Sequence, residues 1–307
     1  MGTSNGTDMT AKYLVTGASG QLGQRVLHHL LVTEGVTPSD VIAASRKPEQ
    51  LMDLAAKGVQ TRHVDFDDAA SIQAAFADAQ RVLIISTDTL DRPGHRLLQH
   101  RAAIAAAEKA GVRHLLYTSM PEPANSPLLF APDHEGTEAA IEASALPAWT
   151  ILRNNWYFEN VMMSAGPALA SGHWYSAAGE GKVAHILRDD IARAIAAALV
   201  AAGSEKKVYT LTGAASHTHR EMAALISSAA GKKIAVIDVP VEGLVQGMVG
   251  AGLPEPVARV FASIDTMIAH GGLARITGDF KALTGVEPQT FEAWVESQSG
   301  AFKSMIV

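Results

Sequence analysis

The stretch "VTGASGQLG" sets Gly17, Gly20 and Gly23 at G-x-x-G-x-x-G spacing. That spacing suits one task, bringing backbone close to a pyrophosphate. Gly17 permits a tight turn, Gly20 lets the backbone approach the phosphates, and Gly23 lets the following helix pack closely on a sheet. Ala18, Ser19, Gln21 and Leu22 complete the loop, so the unpaired N–H groups at the helix start point at the ligand. A glycine triplet alone also fits an ordinary strand-to-helix turn. Here a strand pattern, "KYLVT", precedes it and a helical pattern follows, which is the context a dinucleotide site requires.

The next strand ends in "VIAASRKP", where an NAD site would carry Asp or Glu for the ribose 2′-hydroxyl. Ser45, Arg46 and Lys47 stand there instead. A guanidinium grips a 2′-phosphate with two parallel hydrogen bonds, so Arg46 favours NADPH over NADH; its plainer role is a solvated loop cation. Asp65, in "VDFDD", is a candidate for the adenine amino group and equally for a helix N-cap.

Further along, His134 is a candidate proton donor or a helix-start cap. Trp156 and Tyr157 suit stacking on an aromatic substrate, or core packing. Tyr117 and Ser119 end a strand, where crevice residues belong, and one of them is expected to hydrogen-bond a substrate oxygen. "HEGTE" lacks the second His of a zinc signature, so no metal is expected. His28 and His29 read as helix-surface residues, and no nucleophile elbow is present.

Strands must position these groups. "KYLVT", "VIAA", "VQTRHV", "RVLIIS", "RHLLYTS" and "WTILRN" alternate with helical stretches over 21–33, 49–57, 69–77 and 95–110. This is the order of an α/β fold, a Rossmann doubly wound parallel sheet whose ligand crevice lies beyond the carboxyl ends of the strands. The expected organisation is a flexible lead-in at 1–10, a nucleotide-binding domain at 11–157 and a smaller, mainly helical C-terminal lobe at 158–307 covering the crevice. In that lobe "RDDIARAIAAALVAA" is a helix with Ile191, Ile195 and Leu199 on one stripe. The strand "KVYTLTG", 207–213, is placed to rejoin the sheet, and one further strand falls near "KIAVIDV".

Composition narrows the class. The 307 residues carry 18% charged and 48% hydrophobic residues, ordinary for a compact soluble chain. A net charge of -6, spread along the chain, gives no footprint for nucleic acid or an anionic membrane. The absence of cysteine excludes thiolate nucleophiles and iron–sulfur ligation. No apolar run is long enough to span a bilayer and no secretory signal is evident, so the expected location is cytoplasmic. The helical surfaces would permit a homodimer.

The segments "VTGASGQLG", "SRKPE", "GVRHLLYTS", "HEGTEAAIEASALPAWTILRNNWYFEN" and "AAGEGKVAHILRDDIARAIA" resemble, in order, the NmrA-like atypical short-chain dehydrogenase/reductases. Within that group they are most similar to type 2 NAD(P)H:quinone oxidoreductases and triphenylmethane reductases. The resemblance implies NADP as cofactor. It implies the pyrophosphate on residues 17–22, the 2′-phosphate on Arg46, and Ser86 and Thr87 along the ribose. Residues 154–159 would border nicotinamide and substrate, with Asn154 a cofactor contact; beside that resemblance, the residues themselves make His134, Tyr157 and Asn154 the catalytic candidates. Arg188 would close the pocket. The loop "TDTLDRPGHR" is nearer in length to the triphenylmethane reductase pattern.

In the wider superfamily a Tyr-x-x-x-Lys pair protonates the forming alkoxide. Asp133 and Thr137 occupy the corresponding positions here. A quinone makes smaller demands, because hydride gives a delocalised anion that water can protonate, and a cationic dye needs no proton. The leading expectation is therefore an NADPH-dependent reductase of quinones or related aromatic acceptors. The rivals are a non-catalytic NADP-sensing regulator, as found in the NmrA-like group, and a ketone or imine reductase using Asp133 or His134 as an unusual acid.

Overall fold

Two consecutive residues of each central strand face opposite layers, and both layers are apolar. The computed structural model describes residues 12–89, 92–124 and 126–306; the expected lead-in at 1–10 lies outside the described residues. The first half runs β1 (Tyr13–Val15), α1 (Gln21–His28), β2 (Val41–Ser45), α2 (Met52–Ala55), β3 (Gln60–His63) and α3 (Ala69–Phe76). It continues through β4 (Arg81–Ile84), α4 (His95–Lys109), β5 (His114–Ser119), α5 (Ala131–Glu142) and β6 (Trp149–Asn154). The second half contains α6 (Val161–Ser171), β7 (His173–Ser176), β8 (Lys182–Val183), α7 (Arg188–Ala201), β9 (Lys206–Leu211) and β10 (His217–Thr218). After these come α8 (His219–Ala230), β11 (Ala235–Asp238), α9 (Val241–Gly250), α10 (Glu255–Ala269), α11 (Asp279–Thr284), α12 (Phe291–Ser297) and α13 (Ser299–Ser304).

Seven strands form one parallel sheet in the order β3-β2-β1-β4-β5-β6-β9. The fold is the doubly wound Rossmann type. Strand order reverses between β1 and β4, which pair Tyr13 with Arg81 and Val15 with Leu83. A crevice opens at such a switch point because the connections on its two sides leave for opposite faces.

Burial explains the layers. Every residue of β2 and β5 is buried, as parallel strands covered on both faces require. Val15, Leu83 and Leu116 pack with Val26 and Leu27 of α1 and with Ile191, Ile195 and Leu199 of α7. Leu14, Val82, Leu115 and Tyr117 point the other way, against Ile72 of α3, Ile104 of α4 and Ile141 of α5. The period of two decides which face each side chain serves.

The chain crosses between layers more than once. α7 packs beside α1, β9 pairs with β6, and Phe280 of α11 joins the same core. The second lobe is built from the intervening stretches around Phe158, Trp174, Phe291, Trp294 and Phe302. It holds more strand than the sequence pattern indicated: β7 pairs with β11, and β8 with β10. β8 and β10 span two residues each, too short to display a period. Two helices are also shorter than their patterns. α1 gives way to a π-helical turn at His29–Thr33, and Pro48 opens a 3₁₀ turn at Pro48–Leu51 before α2.

Candidate functional site

The switch point carries a cleft of about 300 Å³, lined by the glycine loop, the ends of β2 and β3, and the segment after β4. Gly17, Ser19, Gly20, Gln21, Leu22, Gly23, Arg46, Asp65, Ser86 and Thr87 all line it. Thr16, Ser45, Val64, Phe66, Ile85, Asp88, Thr89 and Gln99 line it too, and sequence reasoning had not singled these out as site residues. Ala18 is fully buried beneath the loop.

The loop is held by its own backbone. Gly17 adopts φ +61, Ala18 N–H donates to Ala44 O at 3.1 Å, and Gly20 N–H donates to Gly17 O at 2.9 Å. A Cβ on Gly23 would stand 2.3 Å from Gly17 O and 2.9 Å from Ala18 Cα. Gly20 caps α1 without a side chain, and no acidic residue occupies the first turn. The helix start therefore keeps donors for an anionic ligand.

Ser19 Oγ and Ser45 Oγ lie 2.7 Å apart, and Ser45 Oγ accepts from Lys47 N–H at 3.1 Å. These bonds shape the turn that presents Arg46. That guanidinium is 66% exposed and stands 4.0 Å from Asp88 Oδ1 across the cleft mouth, so little competes with a phosphate for it. Asp65 Oδ1 accepts from Asp67 N–H at 3.0 Å in a local turn, while the N-cap of α3 is Asp68.

Beyond the glycine loop, Thr87 is gripped twice. Its N–H donates to His100 Nε2 at 3.0 Å and its hydroxyl donates to Gln99 Oε1 at 2.8 Å. Gln99 in turn donates to Asp67 Oδ2 at 2.8 Å. Ser86 N–H donates to Thr118 Oγ1 at 2.8 Å. α4 thus fixes the floor of the cleft through side chains facing the sheet.

Asn154 ends β6, is buried, and its Oδ1 has no partner among the described residues. Tyr157 stands beside it; burial raises the phenol pKa, and a hydrogen bond with Asn154 acts in the opposite direction. Arg188 lies over the Tyr157 ring at 5.0 Å and donates to Gln21 Oε1, tying the start of α7 to the glycine loop. Trp156 packs with Phe130, Met120 and Met267 in an apolar wall between sheet and lobe.

The structure does not bring Tyr117, Ser119 and His134 to the cleft surface. Tyr117 is fully buried on the α4–α5 face, 2.8 Å through its hydroxyl from His134 Nδ1. Burial holds the His134 pKa well below its ordinary value and raises that of Tyr117. His134 is thus a neutral imidazole with no imidazolium proton to give. Ser119 donates to Glu138 Oε1 at 2.5 Å, and Glu138 is paired with Arg153. Thr137 donates to Asp133 O at 2.6 Å and lies 2.9 Å from His100 Nδ1. Among the described residues no cluster suits a metal ion, and no helix is long and apolar enough to cross a membrane.

The residues present fit a dinucleotide. The close approach demanded at Gly23, the uncapped helix start, the exposed Arg46 and the orphaned Asn154 Oδ1 each match one part of it.

Comparison with known proteins agrees. The sequence model of the NmrA-like family matches residues 9–295. Quinone oxidoreductase 2 of Escherichia coli is 37% identical over 259 residues, covering 84% of this chain and 88% of that protein. An NAD(P)H azoreductase of Xenophilus azovorans is 28% identical, covering 94% of this chain and 98% of its own length. Among solved structures, the E. coli NADPH-dependent quinone oxidoreductase complexed with NADPH superposes with TM-score 0.87 at 34% identity, covering 93% of this chain and 99% of that one. The Citrobacter triphenylmethane reductase complexed with NADP(H) gives 0.85 at 34% identity, covering 94% and 100%.

Proposed function

The chain belongs to the NmrA-like family, and from that membership we propose that it is an NADPH-dependent oxidoreductase passing hydride directly to a quinone or related aromatic acceptor. Bound NADPH supplies the hydride. The glycine loop from Gly17 to Gly23 cradles the pyrophosphate, Arg46 binds the 2′-phosphate, and Asp65 borders the adenine. Ser86 and Thr87 run along the ribose. Asn154, whose buried Oδ1 has no partner among the described residues, would border the nicotinamide, and Arg188 would close the cleft from α7. Trp156 and Tyr157 bound the acceptor with aromatic faces, which orients a flat ring at small entropic cost.

One observation carries the choice of acceptor. The positions of a Tyr-x-x-x-Lys pair hold Asp133 and Thr137, and Thr137 is bonded into the scaffold through Asp133 O. His134, next to them, is neutral and enclosed. A carbonyl whose alkoxide must be protonated finds neither the Tyr-x-x-x-Lys pair nor an imidazolium at His134 here; a quinone, whose reduced anion is delocalised and accepts its proton from water, needs neither. We assign the work to the cytoplasm, the compartment of the NADPH pool, by a single chain or a homodimer.

Anaerobic mixing of the protein with NADPH and naphthoquinone tests this. One hydroquinone should appear per NADPH consumed; no consumption above the protein-free rate would refute the assignment.

A further inference from the structure

Arg96, in the first turn of α4, is 8% exposed, and its Nε has no hydrogen-bond partner. Among the described residues no carboxylate forms a salt bridge with it. Its guanidinium lies 5.8 Å from the centroid of the Phe130 ring. Burial lowers its pKa, and Asp133 and Asp88 are the carboxylates that act against that shift. An enclosed, unpaired cation is costly, and proteins ordinarily pair such a group. The partly buried Arg153 is paired with Glu138 in that way.

Its position is informative. Asp88 lines the cleft mouth. Gln99 and His100, one turn further along α4, hold Thr87 at the cleft floor. Phe130 belongs to the apolar wall with Trp156. Arg96 therefore lies just behind the cleft lining, within electrostatic reach of Asp88 and against the Phe130 ring, in the first turn of a helix of 15 residues.

We propose that Arg96 is the anion-binding group of the acceptor site, receiving the oxygen on which negative charge collects during reduction. This rests on the hydride-transfer reading above and names its substrate class. A quinone that takes hydride gains two electrons and one proton and becomes the hydroquinone monoanion, while NADPH becomes NADP⁺. The charge resides on oxygen, Arg96 binds it, and one proton from water completes the hydroquinone. A donor aimed at developing charge in an enclosed site replaces the acid the chain lacks. The same cation disfavours positively charged dyes. Neutral and anionic oxygen-bearing aromatics are the substrates.

The test compares naphthoquinone, a sulfonated naphthoquinone and a cationic triphenylmethane dye, in wild type and Arg96→Gln, with NADPH saturating. Wild type should prefer the sulfonated quinone and reduce the dye least; preference for the dye overturns the proposal and requires no variant. Arg96→Gln should lower kcat/KM on both quinones by on the order of 10²-fold. Turnover of the cationic dye should rise, because the opposing charge is gone, and the Kd of NADPH should be unchanged. Equal loss on all acceptors, or no loss, also overturns it. A readout independent of turnover is binding of 4-hydroxybenzoate to the NADP⁺-loaded protein by calorimetry. If no acceptor is reduced but this binding disappears in Arg96→Gln, the function above fails and the anion site stands; binding indifferent to the substitution removes the site.

Discussion

His100 Nε2 accepts the backbone N–H of Thr87 at 3.0 Å. The bond fixes the tautomer, because a ring nitrogen that accepts carries no proton. The proton is then on Nδ1, which donates to Thr137 Oγ1 at 2.9 Å, and the Thr137 hydroxyl donates in turn to Asp133 O at 2.6 Å. A residue of α5, where the superfamily keeps its lysine, is here a rivet joining α4, α5 and the cleft floor.

Removing that rivet should loosen the cleft. His100→Ala leaves the Thr87 N–H without its acceptor and is expected to cost about 1–3 kcal/mol. The Kd for NADPH should rise while the ratio of NADPH to NADH affinity stays constant, since Arg46 is untouched. Denaturant unfolding and cofactor titration check the two halves separately.

Burial of histidines predicts sensitivity to acid. The pKa values of His100 and His185 are lowered to about 3 from an ordinary 6.5, and that of His134 lies well below 6.5, all chiefly through desolvation. Between the folded and unfolded values the unfolded chain binds more protons, so stability rises with pH across that window. It is fully present above pH 6.5 and is lost as the pH falls toward 3. The thermal midpoint should drop as the pH is lowered from 7 to 4, and less steeply in His100→Asn. Identical slopes in the two proteins would contradict the assignment to His100.

Arg46 should discriminate between cofactors. Arg46→Ala removes a guanidinium that, among the described residues, forms one ion pair, with Asp88 at 4.0 Å. Charge-assisted bonds of this kind contribute about 1.5–3 kcal/mol, so the Kd for NADPH should rise roughly 10- to 100-fold. The Kd for NADH should barely move. Equal weakening of both would remove the 2′-phosphate assignment.

Gly23→Ala should fail for a steric reason. The added methyl meets backbone, Gly17 O at 2.3 Å, and no side chain can yield there. Either α1 shifts or the loop opens. Loss of NADPH binding with a lowered thermal midpoint is expected, whereas binding equal to wild type would show that the cradle tolerates a Cβ.

Much of this was legible in the sequence, and the exceptions share a cause. The strands and the glycine loop announce themselves locally, through periodicity and spacing that need no tertiary partner. Tyr117 and Ser119 were read correctly as the end of a strand, but which neighbour occupies each hydroxyl depends on α5, which supplies His134 to one and Glu138 to the other. Gln99 and His100 reach Thr87 across a loop that no motif marks. Arg96 on a helix reads as a solvated cation until its burial is known. In the second lobe, two-residue strands form only because partners distant in the chain offer edges.

The central claim is hydride transfer from NADPH to a quinone without a side-chain acid. It is tested most directly by following NADPH absorbance against benzoquinone, naphthoquinone and an aryl ketone, with NADH in parallel. Turnover of the quinones, faster with NADPH, and none of the ketone is the predicted result. Ketone turnover would require an acid that the enclosed His134 does not supply, and tight NADPH binding without turnover of any acceptor would make the protein a sensor of the cofactor; either result contradicts the claim.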